Sequence, residues 1–576
     1  MNLSNHSEKK IEYTAADALN DALVNAGVSH VFLNSGTDYP PIIESWAKYE
    51  ALGLRKPEII ICPHETVAIS AAHAFAQVTG QPQAVFVHVD VGTQNLGGAL
   101  HNAYRCRVPV FILAGLSPYT IEGELKGGRD SGIQFIQNTA DQGGIVRGYT
   151  KQVGEFRSGK NIQQMTYRAI QIANSEPKGP IYMMATREVL EEEGLDIQAD
   201  LKRWAPISPM GLDDESVALL AEVLTKAKSP MIITSYVGRN PESVAELVRL
   251  SERLAIPVVS SGGAYMNFPS DHPLHLGSMA QALLKDADVV LVLDCDMPWI
   301  PALTKPPVDC RVFYLDIDPL KEDIPLWYIP SERFMKADSF TALKQIHRQL
   351  DRAAEAPDAV LLDARREKYA KMKAETQGRL AAAEKQQGTM TAAYISACVR
   401  EIMDQDTILI NETISSSGAV SGHIPRNKPG TVFGCGGSSL GWFGGAAIGA
   451  KLACPDKDVV ALASDGVYIL SAPTAVYWMA RRYKTPFLTV IYNNQGWNAP
   501  KQITQGQHPD GYATRNNKFW VDFAQPARLD LVAEAAGGAF ARTVEKPEDL
   551  MQALLDGRKA VKSGIPAVIN AILPPV

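Results

Sequence analysis

One acid and two amide side chains stand where a hard cation could use them. An apolar, β-branched run, Val459 to Ala463, reads as a buried strand and leads straight into Ser464-Asp465-Gly466. A second run, Phe487 to Tyr492, ends on Asn493-Asn494-Gln495-Gly496-Trp497. The 26 residues between Gly466 and Asn493 leave room for one helix. Ser471 and Pro473 can start it, and Val476, Met479, Ala480 and Tyr483 share one face. Such a β-α-β unit brings Asp465 and both asparagines to the carboxyl ends of neighbouring parallel strands, the edge where these sheets bind ligands. Mg²⁺ takes oxygen ligands in an octahedron, using only one or two carboxylates and leaving the other positions to phosphate, carbonyls and water. Asp465, the side-chain oxygen of Asn493 or Asn494, and a backbone carbonyl just beyond suit such an ion holding a phosphate. The plainer alternative is a helix cap at Asp465 and an asparagine turn.

The elements that must position these groups alternate along the whole chain. A polar arm at residues 1 to 12 precedes a helical pattern from Thr14 to Val28, and the strand Val31-Phe32-Leu33 ends in the turn Asn34-Ser35-Gly36-Thr37-Asp38. Then follow Ile59 to Ile61, a helix from about Thr66 to Thr79, the strand Ala84 to Val89, a helix from about Asn95 to Tyr104, and the strand Val108 to Leu113. The alternation closes near Ile181-Tyr182-Met183-Met184. It restarts after the charged, Pro-containing stretch Asp200 to Pro209, with strands at Met231 to Thr234, Val258-Val259, Val289 to Leu293 and Val312 to Leu315. From about Ser339 to Gln387 a charged, Ala-rich stretch reads as a solvated linking helix. These patterns predict an α/β protein of three consecutive doubly wound parallel-sheet domains, at residues 1–190, 200–355 and 389–576, with a helical link at 356–388.

Composition narrows the function classes. A chain of 576 residues exceeds one core, since domains average about 150 residues. The balance of 63 acidic against 56 basic residues gives −7, and no basic, aromatic-interleaved stretch occurs, so no nucleic-acid partner is expected. Met1 to Lys10 lacks the apolar core of a signal peptide, and no 18-residue uncharged apolar run is present, so the expectation is a cytoplasmic protein with no membrane partner. Seven scattered cysteines without a C-x-x-C pair read as reduced core residues.

Asp465-Gly466 with Asn493-Asn494 at this spacing resembles the fingerprint of thiamine-diphosphate-dependent enzymes, the superfamily of acetolactate synthase, benzoylformate decarboxylase and benzaldehyde lyase. Ser464 departs from the usual first glycine, and Val467 from the small hydroxyl that many relatives place against the diphosphate. The resemblance spans about residues 14 to 576 and implies pyrimidine-binding, middle and diphosphate-binding domains in that order. It implies thiamine diphosphate and Mg²⁺ as cofactors, with Asp465, Asn494 and the Gly496 carbonyl as metal ligands and Asn493 as the adjacent alternative. Gly466 and Val467 then flank the diphosphate. Asn411-Glu412-Thr413-Ile414-Ser415 looks like the diphosphate loop of the benzoylformate decarboxylase branch, with Ser415 supplying a hydroxyl. The Gly-rich run Gly434 to Gly445 contains Gly437 and Ser438 as cofactor contacts, and Leu440 aligns with the apolar residue over which relatives bend the cofactor. It is not a P-loop, because no Gly-Lys-Ser/Thr follows.

In this family a carboxyl group trades a proton with the pyrimidine N1′, and Glu65, after Cys62-Pro63-His64 and at the head of a helix of small residues, matches it. A helix-start glutamate is otherwise a dipole-compensating residue. His88-Val89-Asp90-Val91-Gly92-Thr93-Gln94-Asn95 resembles the segment of benzoylformate decarboxylase in which a His, a Gly and an Asn hold these places. That makes His88 a candidate proton shuttle, Gly92 and Asn95 cofactor neighbours, and Thr37 a substrate partner. The middle-domain stretch Asp294 to Pro301 lacks that decarboxylase's second histidine and also the Arg-Phe-Asp-Asp-Arg run of flavin-binding acetohydroxyacid synthases, so FAD is not expected. Asp316 and Asp318 resemble residues that some relatives use for an adenine nucleotide, or they simply form a turn.

The resemblance implies decarboxylation of a 2-oxo acid, with protonation of the enamine intermediate or its carboligation to an aldehyde. An acyloin or 2-hydroxyacyl lyase without decarboxylation is the alternative, and a non-catalytic regulatory subunit the alternative of another class. It also implies a homodimer or homotetramer with the active site between chains.

Overall fold

The computed structural model describes residues 12–195, 199–353, 357–385, 388–523 and 527–576, so the polar arm expected at the start lies, up to residue 11, outside the described residues. Two compact units divide the chain, Met1–Ile207 and Ser208–Val576. Every paired strand is parallel, and three sheets are present, one in the first unit and two in the second.

In the first unit, β1 (His30–Leu33), β2 (Glu58–Ile61), β3 (Gln83–Val87), β4 (Val110–Gly115), β5 (Gln152–Phe156) and β6 (Ile181–Ala185) lie in the order β2-β1-β3-β4-β6-β5. The chain leaves β1 for one neighbour and returns to its other side as β3, which opens a crevice beyond the carboxyl ends of these two strands. The turn holding Thr37 and Asp38 follows β1, and His88 follows β3.

In the second unit, β7 (Pro230–Thr234), β8 (Val258–Ser260), β9 (Val289–Leu293), β10 (Arg311–Asp316) and β11 (Arg333–Lys336) run β11-β10-β9-β7-β8. Strand periodicity explains the layering. Val289, Leu291 and Leu293 enter one core while Val290 and Val292 enter the core on the other face, so both sides of the sheet are covered. The last sheet, β12 (Ile408–Glu412), β13 (Val432–Phe433), β14 (Val459–Ser464), β15 (Leu488–Asn493), β16 (Phe540–Val544) and β17 (Ala567–Ile572), is ordered β13-β12-β14-β15-β17-β16. Its reversal falls between β12 and β14. Ser464 pairs with Tyr492, so Asp465 leaves its strand level with the two asparagines.

The three-sheet α/β expectation holds, and four local expectations change. The helix predicted from Asn95 begins at Val89, because Asp38 accepts the Val89 N–H and Gly92 is tolerated as a buried residue of the first turn. The helix expected from Ser471 and Pro473 is present as Pro473–Arg482, but a short helix, Asp465–Leu470, stands ahead of it. The charged stretch after Ser339 is two helices. Ser339–Arg352 buries Leu343, Ile346 and Leu350 in the middle core, worth about 1.5–3 kcal/mol each, and only Ala359–Ala383 runs largely exposed. Helix Pro40–Ala51, strand β5 and helix Ile162–Asn174 were not evident as patterns. Among the described residues no helix is long and apolar enough to cross a membrane, and none of the seven cysteines is in a disulfide.

Candidate active site

The crevice of the first unit gathers a carboxylate, an amide and an imidazole. Glu65 is the first residue of helix Glu65–Thr79, and the His64 side chain caps that helix by accepting the Thr66 N–H at 3.2 Å. The Glu65 side chain is buried, 7% exposed, and its Oε2 accepts from the Asn95 amide at 3.1 Å. A Cβ on Gly92 would stand 3.3 Å from Glu65 Oε1 and from Val87 Cβ, so the glycine is what lets the next helix approach the carboxylate. Glu65, Gly92 and Asn95 are thus in one cluster. His88 precedes it by one turn, and its carbonyl accepts the Gly92 N–H at 2.8 Å.

His88 has a partner that the sequence reading passed over. Its Nδ1 lies 2.7 Å from Asp38 Oδ1, and the same buried carboxylate accepts the Val89 N–H at 3.2 Å. The bond to Asp38 holds the imidazole above its ordinary pKa, against the opposing effect of burial, and Gln137 and Asp90 add to the rise. Asp38 stood inside the quoted turn, and the signal for it was an acid in the turn that follows a buried strand. Thr37 is exposed beside it, with its carbonyl 3.4 Å from Arg187 Nη1.

In the second unit, Asp465 is 1% exposed. Its Oδ1 accepts the Gly466 N–H at 2.8 Å and its Oδ2 the Gly496 N–H at 2.9 Å. Burial raises its pKa, and the N–H groups of Gly466, Gly496 and Gln495 pull it back. The inward atom of the Asn494 amide is 3.3 Å from Asp465 Oδ1 and 2.9 Å from the Gly496 carbonyl, two acceptors. With nitrogen inward these are hydrogen bonds. With oxygen inward, three oxygens converge in the way only a cation among them makes favourable, and one carboxylate with an amide and a carbonyl is a magnesium-type set rather than a zinc one. The residues present therefore fit the ion. Asn493 does not serve as the alternative ligand, because its amide turns away to Asn570 at 3.0 Å and its Oδ1 accepts the Gln495 N–H at 3.0 Å.

The remaining residues frame the same sheet edge. Gly466 packs so closely that a Cβ would meet Trp497 Nε1 at 2.7 Å. Val467 is wholly buried. Ser415 is exposed just after β12, next to Ile414 at φ +46°. In the Gly-rich run, Ser438 is exposed at φ +61° while Gly437 and Leu440 are half-buried.

Beneath this run lies Glu412, a second residue missed by the sequence reading although it stood in the quoted loop. It accepts the Gly441 N–H at 3.0 Å and the Phe443 N–H at 2.8 Å, and so pins the segment that carries Leu440. In the middle sheet, Asp316 does not face outward for a nucleotide. Its Oδ2 is 2.8 Å from the buried ammonium of Lys321, which also meets Asp296, and its Oδ1 accepts the Asp318 N–H at 2.8 Å.

Comparison with known proteins agrees with this geometry. Three family models match in order: the thiamine pyrophosphate enzyme N-terminal TPP binding domain at residues 13–145, the central domain at 217–324 and the C-terminal TPP binding domain at 415–571, together more than half of the chain. The chain is 25% identical to acetolactate synthase of Bacillus subtilis (strain 168), over 96% of this chain and 92% of that protein. It is 24% identical to benzoylformate decarboxylase of Pseudomonas aeruginosa, over 84% and 87%. The solved thiamine diphosphate-dependent 4-hydroxybenzoylformate decarboxylase of Rhodococcus jostii RHA1 shares the fold, with a TM-score of 0.79 at 20% identity, covering 98% of this chain and 100% of that one. The three domains in this order, with the acid and amide clusters beyond the carboxyl ends of strands in the first and last sheets, make this chain a member of the thiamine-diphosphate-dependent enzyme superfamily of acetolactate synthase and benzoylformate decarboxylase.

Proposed function

We propose that the enzyme uses thiamine diphosphate with Mg²⁺ to decarboxylate a 2-oxo acid and then protonates the remaining fragment or joins it to an aldehyde. The observation that carries this reading is the convergence of Asp465, Asn494 and the Gly496 carbonyl at the carboxyl ends of β14 and β15. When bound, the cofactor supplies a carbon nucleophile that adds to the substrate carbonyl and takes up the electron pair released with CO₂.

The chain's own groups do the rest. Asp465, Asn494 and the Gly496 carbonyl would hold the metal that neutralises the diphosphate. The Ser415 hydroxyl and the backbone at Gly437 and Ser438 take phosphate oxygens, while Leu440 fills the space under the bend between the two rings. The Glu65 carboxyl exchanges a proton with the pyrimidine N1′, and the Asn95 amide keeps it aimed. His88 delivers a proton to the decarboxylated fragment, and the Thr37 hydroxyl binds the substrate carboxylate. The reading includes a homodimer or homotetramer in which Glu65 of one copy and Asp465 of another serve the same cofactor.

Calorimetry with thiamine diphosphate, with and without Mg²⁺, tests the cofactor. CO₂ release from pyruvate, benzoylformate and a branched 2-oxo acid, each with and without an aldehyde, tests the reaction. Metal-independent binding, or CO₂ from no donor, refutes the reading. Mixing Glu65→Gln chains with Asp465→Ala chains should restore part of the turnover that each lacks alone, and no restoration would refute the shared site.

A further inference from the structure

The contact between Asp38 and His88 is built more tightly than a chance ion pair. A Cβ on Gly36 would overlap the His88 ring, and a Cβ on Gly115 would overlap the Asp38 carboxylate, so two glycines are kept free to seat the pair. The next residue, Tyr39, donates its hydroxyl to the Val87 carbonyl at 2.6 Å and lies 3.0 Å from the Leu113 carbonyl, which fastens the turn to the ends of β3 and β4. Asp38 itself is 5% exposed. Its two oxygens have separate tasks, Oδ1 facing His88 Nδ1 and Oδ2 accepting the Val89 N–H.

A carboxylate can only accept, so the ring must present N–H at Nδ1 in its neutral as well as its charged form. We infer that Asp38 is a positioning residue that locks His88 in the Nδ1–H tautomer and thereby makes Nε2 the atom that exchanges a proton with substrate. The inference rests on the reading of His88 as the proton donor. In the step, the Nε2–H bond of the imidazolium breaks and its proton passes to the fragment left after CO₂ loss. The ring becomes neutral with its proton still on Nδ1, hydrogen-bonded to Asp38, and water restores the Nε2 proton. The groups that face the ring are Asp38 from the turn after β1, Asp90 from the first turn of helix Val89–Arg105, and Gln137, all of which favour the charged form. Tyr39 and Tyr182 interact with the Asp38 charge.

Asp38→Asn is the informative change because an amide has one acceptor where two are needed. If its oxygen stays on the Val89 N–H, its NH₂ must donate to Nδ1 and the ring switches to the Nε2–H tautomer, as happens when the aspartate of a catalytic triad is replaced by asparagine. The measurement is ¹⁵N-histidine NMR of the full chain without cofactor, at a pH where the ring is neutral, with His88→Gln to identify the signal. Wild type should show a protonated Nδ1 and a bare Nε2, and Asp38→Asn the reverse. Turnover of Asp38→Asn should fall on the order of 10²-fold with KM little changed, and the alkaline limb of its pH profile should move to lower pH.

A bare Nδ1 in the wild type overturns the inference without Asp38→Asn having to fold, and so does an unchanged tautomer in a folded Asp38→Asn. Full turnover in His88→Gln would instead overturn the reading of His88 as donor, leaving the tautomer result to judge the Asp38 contact alone.

Discussion

Alkaline conditions should weaken the native state through one buried carboxyl, Glu412, and Glu412→Gln should remove that part of the pH dependence. The side chain is 3% exposed at the end of β12, under the segment that carries Leu440. Burial pushes its pKa from 4.5 up to about 8, against the pull of the Phe443, Trp442 and Gly441 N–H groups. An acid that is harder to ionise in the folded chain holds its proton more tightly there. Its stabilisation is therefore complete below about pH 4.5 and disappears as the pH rises through about 8. At about 1.4 kcal/mol per pH unit, the gap between these values sets a ceiling of roughly 5 kcal/mol. Gln has nearly the shape of the neutral acid and keeps one acceptor for the Gly441 or Phe443 N–H, so at pH 6 it should cost only about 1–2 kcal/mol. Denaturant midpoints for both proteins between pH 5 and 9 isolate the difference, because every other titrating group is common to them. The two curves should converge or cross toward pH 9. Parallel curves would refute the reasoning, since they would mean that Glu412 carries the same charge in the folded and unfolded chains.

Other changes test the geometry of the clusters. Asp465→Ala should abolish metal-dependent cofactor binding in calorimetry, and chelation of wild type should remove the stabilisation of about 2.7 kcal/mol that cofactor at 100 times its dissociation constant supplies. Gly92→Ala places a methyl 3.3 Å from Glu65 Oε1, tighter than ordinary contact. Turnover should fall about tenfold with the melting temperature nearly unchanged, and an unaffected kcat would show that the carboxylate does not need its present position. Gly441→Ala combines a backbone at φ +100° with a Cβ 2.5 Å from the Leu470 carbonyl, so it should cost about 2–4 kcal/mol in a denaturant titration.

The alternation of strands and helices was legible because parallel strands buried on both faces are short, continuous apolar runs, as at Val289–Leu293 and Val459–Ala463. His88, Asp465 and the asparagine pair were legible for the same reason, since each stands at the end of such a run. Helix Ser339–Arg352 was misjudged because its Leu343, Ile346 and Leu350 are spaced among charges, and only the sheet beside it shows that this stripe is core. The start of helix Val89–Arg105 was set too late because Gly92 argues locally against a helix, while contact with Glu65 requires a glycine there.

By itself, the sequence determined that three parallel α/β domains follow one another and that Asp465, the asparagine pair and Glu65 stand at strand and helix ends. These are consequences of local periodicity and spacing, which the chain carries along its length. Only the tertiary structure shows that the Asn493 amide is taken up by Asn570, which is 77 positions away from it. It likewise decided that Asp38 holds His88 and that Lys321 occupies Asp316. A side chain's direction is settled by whichever distant partner satisfies its buried polar atoms, and no local pattern encodes that partner.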